Sequence, residues 1–232
     1  MPGFDPYDAL IPVYLKTEAP QRVRQIGTAI FVELHGKPFL YTAAHVTDAM
    51  KHGELLIPTI TGLSPIDGYV AYIDLPPEIR RTEDSTDIAY YRLSSEFARE
   101  LCHQFQPLPQ NRRELILNAQ ELTVCSASGY PASKSGKTNE GAYYSEIFSV
   151  RGVVADEETY SSLSLSPEQS IVIHFSKKEA IDPETGKSLP TPSLRGISGG
   201  GIFAWPEGES FPMTDRFQSL WGLCIPSRRK KA

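Results

Sequence analysis

Short runs of Val, Ile, Tyr, Phe and Thr, each soon broken by Gly, Pro, Asp or Ser, recur along almost the whole of this chain. Residues of the first kind fill pleated, half-buried strands and those of the second kind supply turns, so the pattern specifies many brief strands rather than helices. Strands are predicted near 12–15, 27–34, 38–43, 54–60, 69–73, 88–93, 115–118, 121–127, 143–154, 170–175, 201–205 and 219–225. His35-Gly36-Lys37-Pro38 separates two of them at hairpin distance, which makes that pair antiparallel. Helical periodicity is convincing only over 95–105, where Phe97, Leu101 and Phe105 recur at every fourth position behind a capping Ser94 or Ser95.

The polar, Pro-rich stretch Gln106–Arg113 divides the chain into halves with about six strands each. An all-β chain of two six-stranded antiparallel barrels, covering residues 1–113 and 114–232, is the economical architecture, because closed sheets leave no edges to protect. At 232 residues the chain buries a core without help from disulfides or a structural metal.

A net charge of −5 argues against nucleic acid as a partner, since the one dense basic run is Arg228, Arg229, Lys230 and Lys231 at the extreme end. Cys102, Cys125 and Cys224 cannot all pair within one chain, and none sits in a metal-binding or thiol-exchange spacing. The start lacks the pattern of a secretory leader, and no apolar run reaches membrane-spanning length. The expectation is therefore a reduced, cytoplasmic chain with no membrane segment, no metal and no cofactor.

Three patterns carry chemistry. Tyr41-Thr42-Ala43-Ala44-His45-Val46 ends a strand on a histidine, Ser85-Thr86-Asp87-Ile88-Ala89-Tyr90 puts an aspartate at the entrance to a strand, and Leu194-Arg195-Gly196-Ile197-Ser198-Gly199-Gly200-Gly201 sets a serine in a glycine-rich turn. A serine hydroxyl is a poor nucleophile at neutral pH. It needs a neutral imidazole to take its proton and a carboxylate to fix the imidazole tautomer. Glycines beside the serine allow consecutive backbone N–H groups to turn toward a developing oxyanion.

In the order His, Asp, Ser, these motifs resemble the chymotrypsin-like (trypsin-fold) serine peptidases over nearly the whole chain. Asp87 follows His45 by 42 residues and Ser198 follows Asp87 by 111, which suits one barrel carrying the first two and the other carrying the nucleophile. The resemblance implies His45 as general base and acid, Asp87 as its orienting acid, Ser198 as nucleophile, and the N–H groups of Gly196 and Ser198 as the oxyanion hole. It also implies that Ile225-Pro226-Ser227 runs beside a protein or peptide substrate as an antiparallel strand. In place of the aspartate that zymogen-type members carry before the serine, this chain has Ile197, so it is similar to a bacterial intracellular type without that switch. Pro192 stands where trypsin-like members carry a pocket carboxylate, and the pocket walls near Leu194 and Cys224 are apolar, which favours an uncharged substrate side chain. After Ile225 only seven residues remain, so either the second barrel is incomplete at its C-terminal edge or another segment or an activating partner chain completes it. An alternative stays open: a catalytically silent binding or regulatory module on the same fold.

Other candidates fail on their own terms. An α/β-hydrolase reading of Gly196-x-Ser198-x-Gly200 needs a histidine after the serine, and the last histidine is His174. Ser135-Gly136-Lys137-Thr138 lacks the leading glycine of a phosphate loop. Asp84 lies further from its strand than Asp87 and suits a capping or solvated role, and adjacent helical residues such as Cys102 and His103 do not face each other.

Overall fold

The computed structural model describes residues 5–18, 22–76, 78–79, 81, 84, 86–110, 118–174 and 191–204, together with the backbone of 219–224. Strands β1 (Leu10–Thr17), β2 (Val23–Leu34), β3 (Lys37–Ala43), β4 (Gly53–Thr59), β5 (Gly62–Pro65), β6 (Gly68–Tyr72) and β7 (Ile88–Leu93) form one curled antiparallel sheet in the order β5-β4-β1-β2-β3-β7-β6. From the second half, β8 (Val124–Gly129), β11 (Phe148–Val153), β12 (Gly200–Ala204) and β13 (Ser219–Cys224) form a second sheet in the order β11-β8-β12-β13. Between β8 and β11, β9 (Ser135–Lys137) and β10 (Tyr143–Ser145) pair only with each other. The described chain is mostly β, and a curled seven-stranded half-barrel beside a second, smaller sheet is consistent with a double-barrel fold.

The predicted strand boundaries hold to within a few residues for nine of the segments, and the departures have local causes. The expected strand 143–154 is two strands, because the chain turns at Glu146, whose N–H donates to the Lys134 carbonyl while its carboxylate pairs with the Lys134 ammonium at 2.8 Å. The expected strand 170–175 makes only one bridge, Ile173 to Val154, within residues 170–174. The Tyr160 hydroxyl occupies its backbone instead, donating to the Ser170 carbonyl and accepting from the Val172 N–H, each at 2.9 Å. The expected strand 115–118 lies outside the described residues except for Asn118, whose side chain caps a short turn. The domain boundary at 113 also lies outside them. The first sheet has seven strands rather than six, since β5 pairs with β4 despite its weak strand composition, and the second has four among the described residues.

Helices are short. One turn, α1 (Ala44–Thr47), follows β3 directly. Ser94 caps α2 (Ser95–Leu101), accepting the Phe97 N–H at 3.2 Å, and Phe97, Ala98 and Leu101 pack into the first core. Asp156 caps α3 (Glu157–Leu163) through the Thr159 N–H at 2.9 Å. Among the described residues no helix is long and apolar enough to cross a membrane.

β2 explains why its sequence reads as a continuous apolar run rather than an alternating one. Successive side chains point to opposite faces. Ala29 and Phe31 enter the first core with Ile11, Val13, Leu15 and Leu40, whereas Ile30 and Val32 face the other way and pack with Leu10, Leu108, Tyr130 and Phe203. Tyr130 and Phe203 belong to the second half, so β2 is buried on both faces and forms the wall shared by the two halves. Complete burial of one such side chain contributes about 1.5–3 kcal/mol before entropy is counted.

Candidate active site

The β3–β7 register brings the first two motifs together. Ala43 pairs with Ile88, so the residue after β3 and the residue before β7 are neighbours: the Ala44 N–H donates to the Asp87 carbonyl at 3.0 Å. One residue further on, the His45 N–H donates to Asp87 Oδ1 at 2.8 Å and His45 Nδ1 lies 2.6 Å from Asp87 Oδ2. Nδ1 is therefore the protonated nitrogen when the ring is neutral, which leaves Nε2 as the acceptor. The Asp87 side chain is 6% exposed and that of His45 is 40% exposed, so the carboxylate is sheltered and the ring reaches solvent.

Asp87 sits at φ +31°, a left-handed conformation that aspartate tolerates better than most residues. Asp84 secures the approach to it. Its carboxylate accepts the Thr86 N–H at 2.9 Å and pairs with Arg81 at 2.8 Å, and Arg81 in turn reaches Asp48 at 3.1 Å. Burial opposes ionisation of Asp84, but the Thr86 N–H and the guanidinium outweigh it and hold the carboxyl below its ordinary value. The capping role expected for Asp84 is the one it has; it is paired rather than solvated.

The third motif docks on the ends of β2 and β3. The Thr28 N–H donates to the Ser198 carbonyl at 2.8 Å, and Thr42 Oγ1 donates to the Thr28 carbonyl at 2.7 Å. Gly199 lies against this surface at φ +84°, where a Cβ would come within 2.2 Å of the Thr28 oxygen and 2.8 Å of the Ala43 nitrogen. Ser198 thus stands beside the stretch leading into Ala44-His45. Its hydroxyl makes no hydrogen bond among the described residues, to His45 Nε2 or to any other group. His45 and Asp87 are joined by hydrogen bonds, and Ser198 and His45 are not.

Two peptide planes in the turn are fixed through their carbonyls. The Ala132 N–H donates to the Arg195 carbonyl at 2.7 Å, and the Gly200 N–H donates to the Ile197 carbonyl at 2.8 Å. In a trans peptide the N–H points opposite to the C=O, so the N–H groups of Gly196 and Ser198 are turned away from those donors. Both are unpaired among the described residues. The Ile197 side chain is 2% exposed in the second core and anchors the turn by burial.

Sequence reasoning missed two residues that hold this turn, Gln25 and Thr28. Thr28 Oγ1 donates to the Gly196 carbonyl at 2.8 Å and accepts the Tyr130 N–H at 2.9 Å. Gln25 Nε2 lies 2.6, 2.7 and 3.2 Å from the carbonyls of Gly27, Tyr130 and Gly196, three acceptors for its two N–H bonds. Its Oε1 has no partner among the described residues and sits 2.5 Å from where a Cβ of residue 196 would be, at φ +98°. The signal was present: polar residues inside a run buried on both faces must have specific partners.

No protein-family model matches the chain. No curated protein matches it. Among solved structures, the apo MamO protease domain from Magnetospirillum magneticum is 13% identical, with a TM-score of 0.41 over 86% of this chain and 80% of that one. A structure from work on the coupled folding and binding of the intrinsically disordered Sesbania mosaic virus VPg protein is 16% identical, with a TM-score of 0.35 over 61% of this chain and 60% of that one. At these scores neither likeness bears on activity.

The expected substrate-binding residues are less concentrated than His45, Asp87 and Ser198. Pro192 is half-buried in irregular chain, and Leu194 packs against the second core. Cys224 pairs with Gly200 at the end of β13, and Ile225 and Ser227 lie outside the described residues. Of Ser135-Gly136-Lys137-Thr138, the first three residues form β9 and pair with β10, so this polar stretch is a short hairpin strand.

Proposed function

We propose that this chain is a serine endopeptidase with His45, Asp87 and Ser198 as its triad. The observation that carries the reading is the double hydrogen bond from His45 to Asp87, which presets the tautomer a general base needs, beside a serine turn with two unpaired N–H groups. In the proposed reaction Ser198 Oγ passes its proton to His45 Nε2 as it bonds to the substrate carbonyl carbon, and the N–H groups of Gly196 and Ser198 hold the oxyanion. His45 then gives that proton to the departing amine as the C–N bond breaks, leaving an acyl group on Ser198. Water repeats the sequence, with His45 as base, to release the acid and restore the serine.

One observation favours the second reading, a trypsin-fold binding module: no hydrogen bond joins Ser198 to His45. Catalytic hydrogen bonds are often long or poorly aligned before substrate arrives, so an open serine–histidine pair does not by itself exclude the peptidase. Intact-mass detection of fluorophosphonate labelling separates the readings. The peptidase labels once, and Ser198→Ala and His45→Ala abolish the adduct. Absence of labelling in well-folded wild type favours the module.

A further inference from the structure

A groove of about 440 Å³ opens beside the serine turn, between the β1–β2 wall and the β9–β10 hairpin. Its lining includes Tyr14, Arg24, Gln25, Lys137, Tyr143 and Arg195, and no Asp or Glu among the described residues. Arg195 adjoins Gly196, so one end of the groove meets the turn itself. Arg24, Lys137 and Arg195 are exposed, and none is within ion-pair distance of a carboxylate among the described residues. Lys137 lies 5.3 Å over the Tyr143 ring, which fixes the ammonium at the rim. Nearby Lys134, by contrast, is neutralised by Glu146 at 2.8 Å.

This concentration of positive charge stands on a chain whose net charge is −5. An anionic ligand is repelled by the net charge of the molecule and attracted locally by the three cations of this groove. The wall also contains Gln25, 5% exposed, whose Oε1 accepts no hydrogen bond among the described residues. That oxygen is closed to solvent and lies against Gly196, so Gln25 contributes to the groove as wall and not as a ligand contact. A peptide rich in Asp and Glu fits the charge of the groove, with carboxylates for Arg24, Lys137 and Arg195. The half-buried Tyr143 ring, held edge-on against buried Tyr14 at 5.9 Å, adds an apolar surface to the groove.

We propose that this groove binds an acidic peptide segment, the part of the substrate flanking the bond to be cleaved. The proposal rests on the peptidase reading of the adjoining turn for the word substrate, but the binding it asserts is measurable without catalysis.

The test uses the full chain carrying Ser198→Ala and three fluorescein-labelled probes: an octapeptide with four Glu or Asp, the same peptide with Gln and Asn, and a single-stranded oligonucleotide of equal charge. Anisotropy titration is expected to place the acidic peptide about tenfold or more tighter than its neutral counterpart, through several partly exposed ion pairs. The preference is expected to fall steeply between about 0.05 and 0.5 M salt. Combined Arg24→Ala, Lys137→Ala and Arg195→Ala substitutions remove it and Lys134→Ala leaves it intact, with circular dichroism confirming the fold. Equal affinity for both peptides, a preference indifferent to salt, or tighter binding of the oligonucleotide overturns the proposal; the salt titration decides even if the triple variant fails to fold. Fluorophosphonate labelling of the wild type reports separately on the peptidase reading, so acidic-peptide binding without labelling sinks that reading and spares the groove.

Discussion

His45 donates to both oxygens of one carboxylate, from its backbone N–H to Asp87 Oδ1 and from its ring to Asp87 Oδ2, at 2.8 and 2.6 Å. The backbone bond orients the carboxylate before the ring bond uses it. Asp87→Asn keeps the size and tolerance of left-handed φ, yet its amide disrupts the pairing that fixes the ring. In the proposed peptidase, kcat/KM for a fluorogenic peptide falls about 10³–10⁴-fold while the melting temperature changes little. Steady-state kinetics with a parallel melting curve check this.

Thr28 and Gln25 converge on the carbonyl of Gly196 from the first sheet. Thr28→Val leaves the Tyr130 N–H and that carbonyl short of a partner, costing about 1–3 kcal/mol and lowering the melting temperature by roughly 3–10 °C. Gln25→Met destabilises as well, and the pair together cost less or more than their sum because they share an acceptor. Urea unfolding of the four proteins in a double-mutant cycle measures the coupling, and strict additivity would show that the shared carbonyl does not link them.

Glycine positions separate by surroundings. Gly199→Ala drives a Cβ into the Thr28 carbonyl at 2.2 Å, whereas Gly36, at φ +68°, has nothing within 4 Å. Gly36→Ala is expected to cost about 1 kcal/mol from backbone strain alone. Gly199→Ala costs several times as much and displaces the serine turn, so it loses fluorophosphonate labelling as well as thermal stability.

The Asp84 carboxyl titrates below its ordinary value of 3.8, so the folded state favours its ionised form. Its contribution is present above that value and is lost as pH falls through the lower, folded-state value. Wild type is therefore expected to outlast Asp84→Asn by a constant margin from about pH 7 to 5, narrowing below about pH 4. Thermal melts across that range test the sign.

Burial pushes the Cys125 thiol up to about 12, and Cys102 is exposed at the end of α2. Native protein treated with iodoacetamide at about pH 8 is expected to be alkylated at Cys102 and spared at Cys125 until denatured, because the thiolate is the nucleophile. Peptide mapping by mass gives the answer.

The sequence made β2, β3 and β7 legible because their apolar runs are long and their ends are marked by turn residues. It brought His45 and Asp87 to notice through their positions at strand ends, which is where a register can join them. α3 was missed because its single buried anchor, Tyr160, sets no period, and β9 because it is polar and draws stability only from β10. Gln25 and Thr28 escaped for a different reason. Their partners in the second half lie 102 to 171 residues away, and while burial says that partners must exist, nothing local in the chain says which.

That distance also sets an order of events. During synthesis Gln25 and Thr28 leave the ribosome with the first sheet before Gly196 and Ser198 appear, so the two side chains wait for the carbonyl they are to hold. Cutting the chain within 111–117 would yield a leading fragment able to keep its half of the clamp and a trailing fragment whose turn lacks it. Nucleophile geometry would then return only on mixing the two, which makes fragment complementation a direct readout of how strongly one half shapes the other.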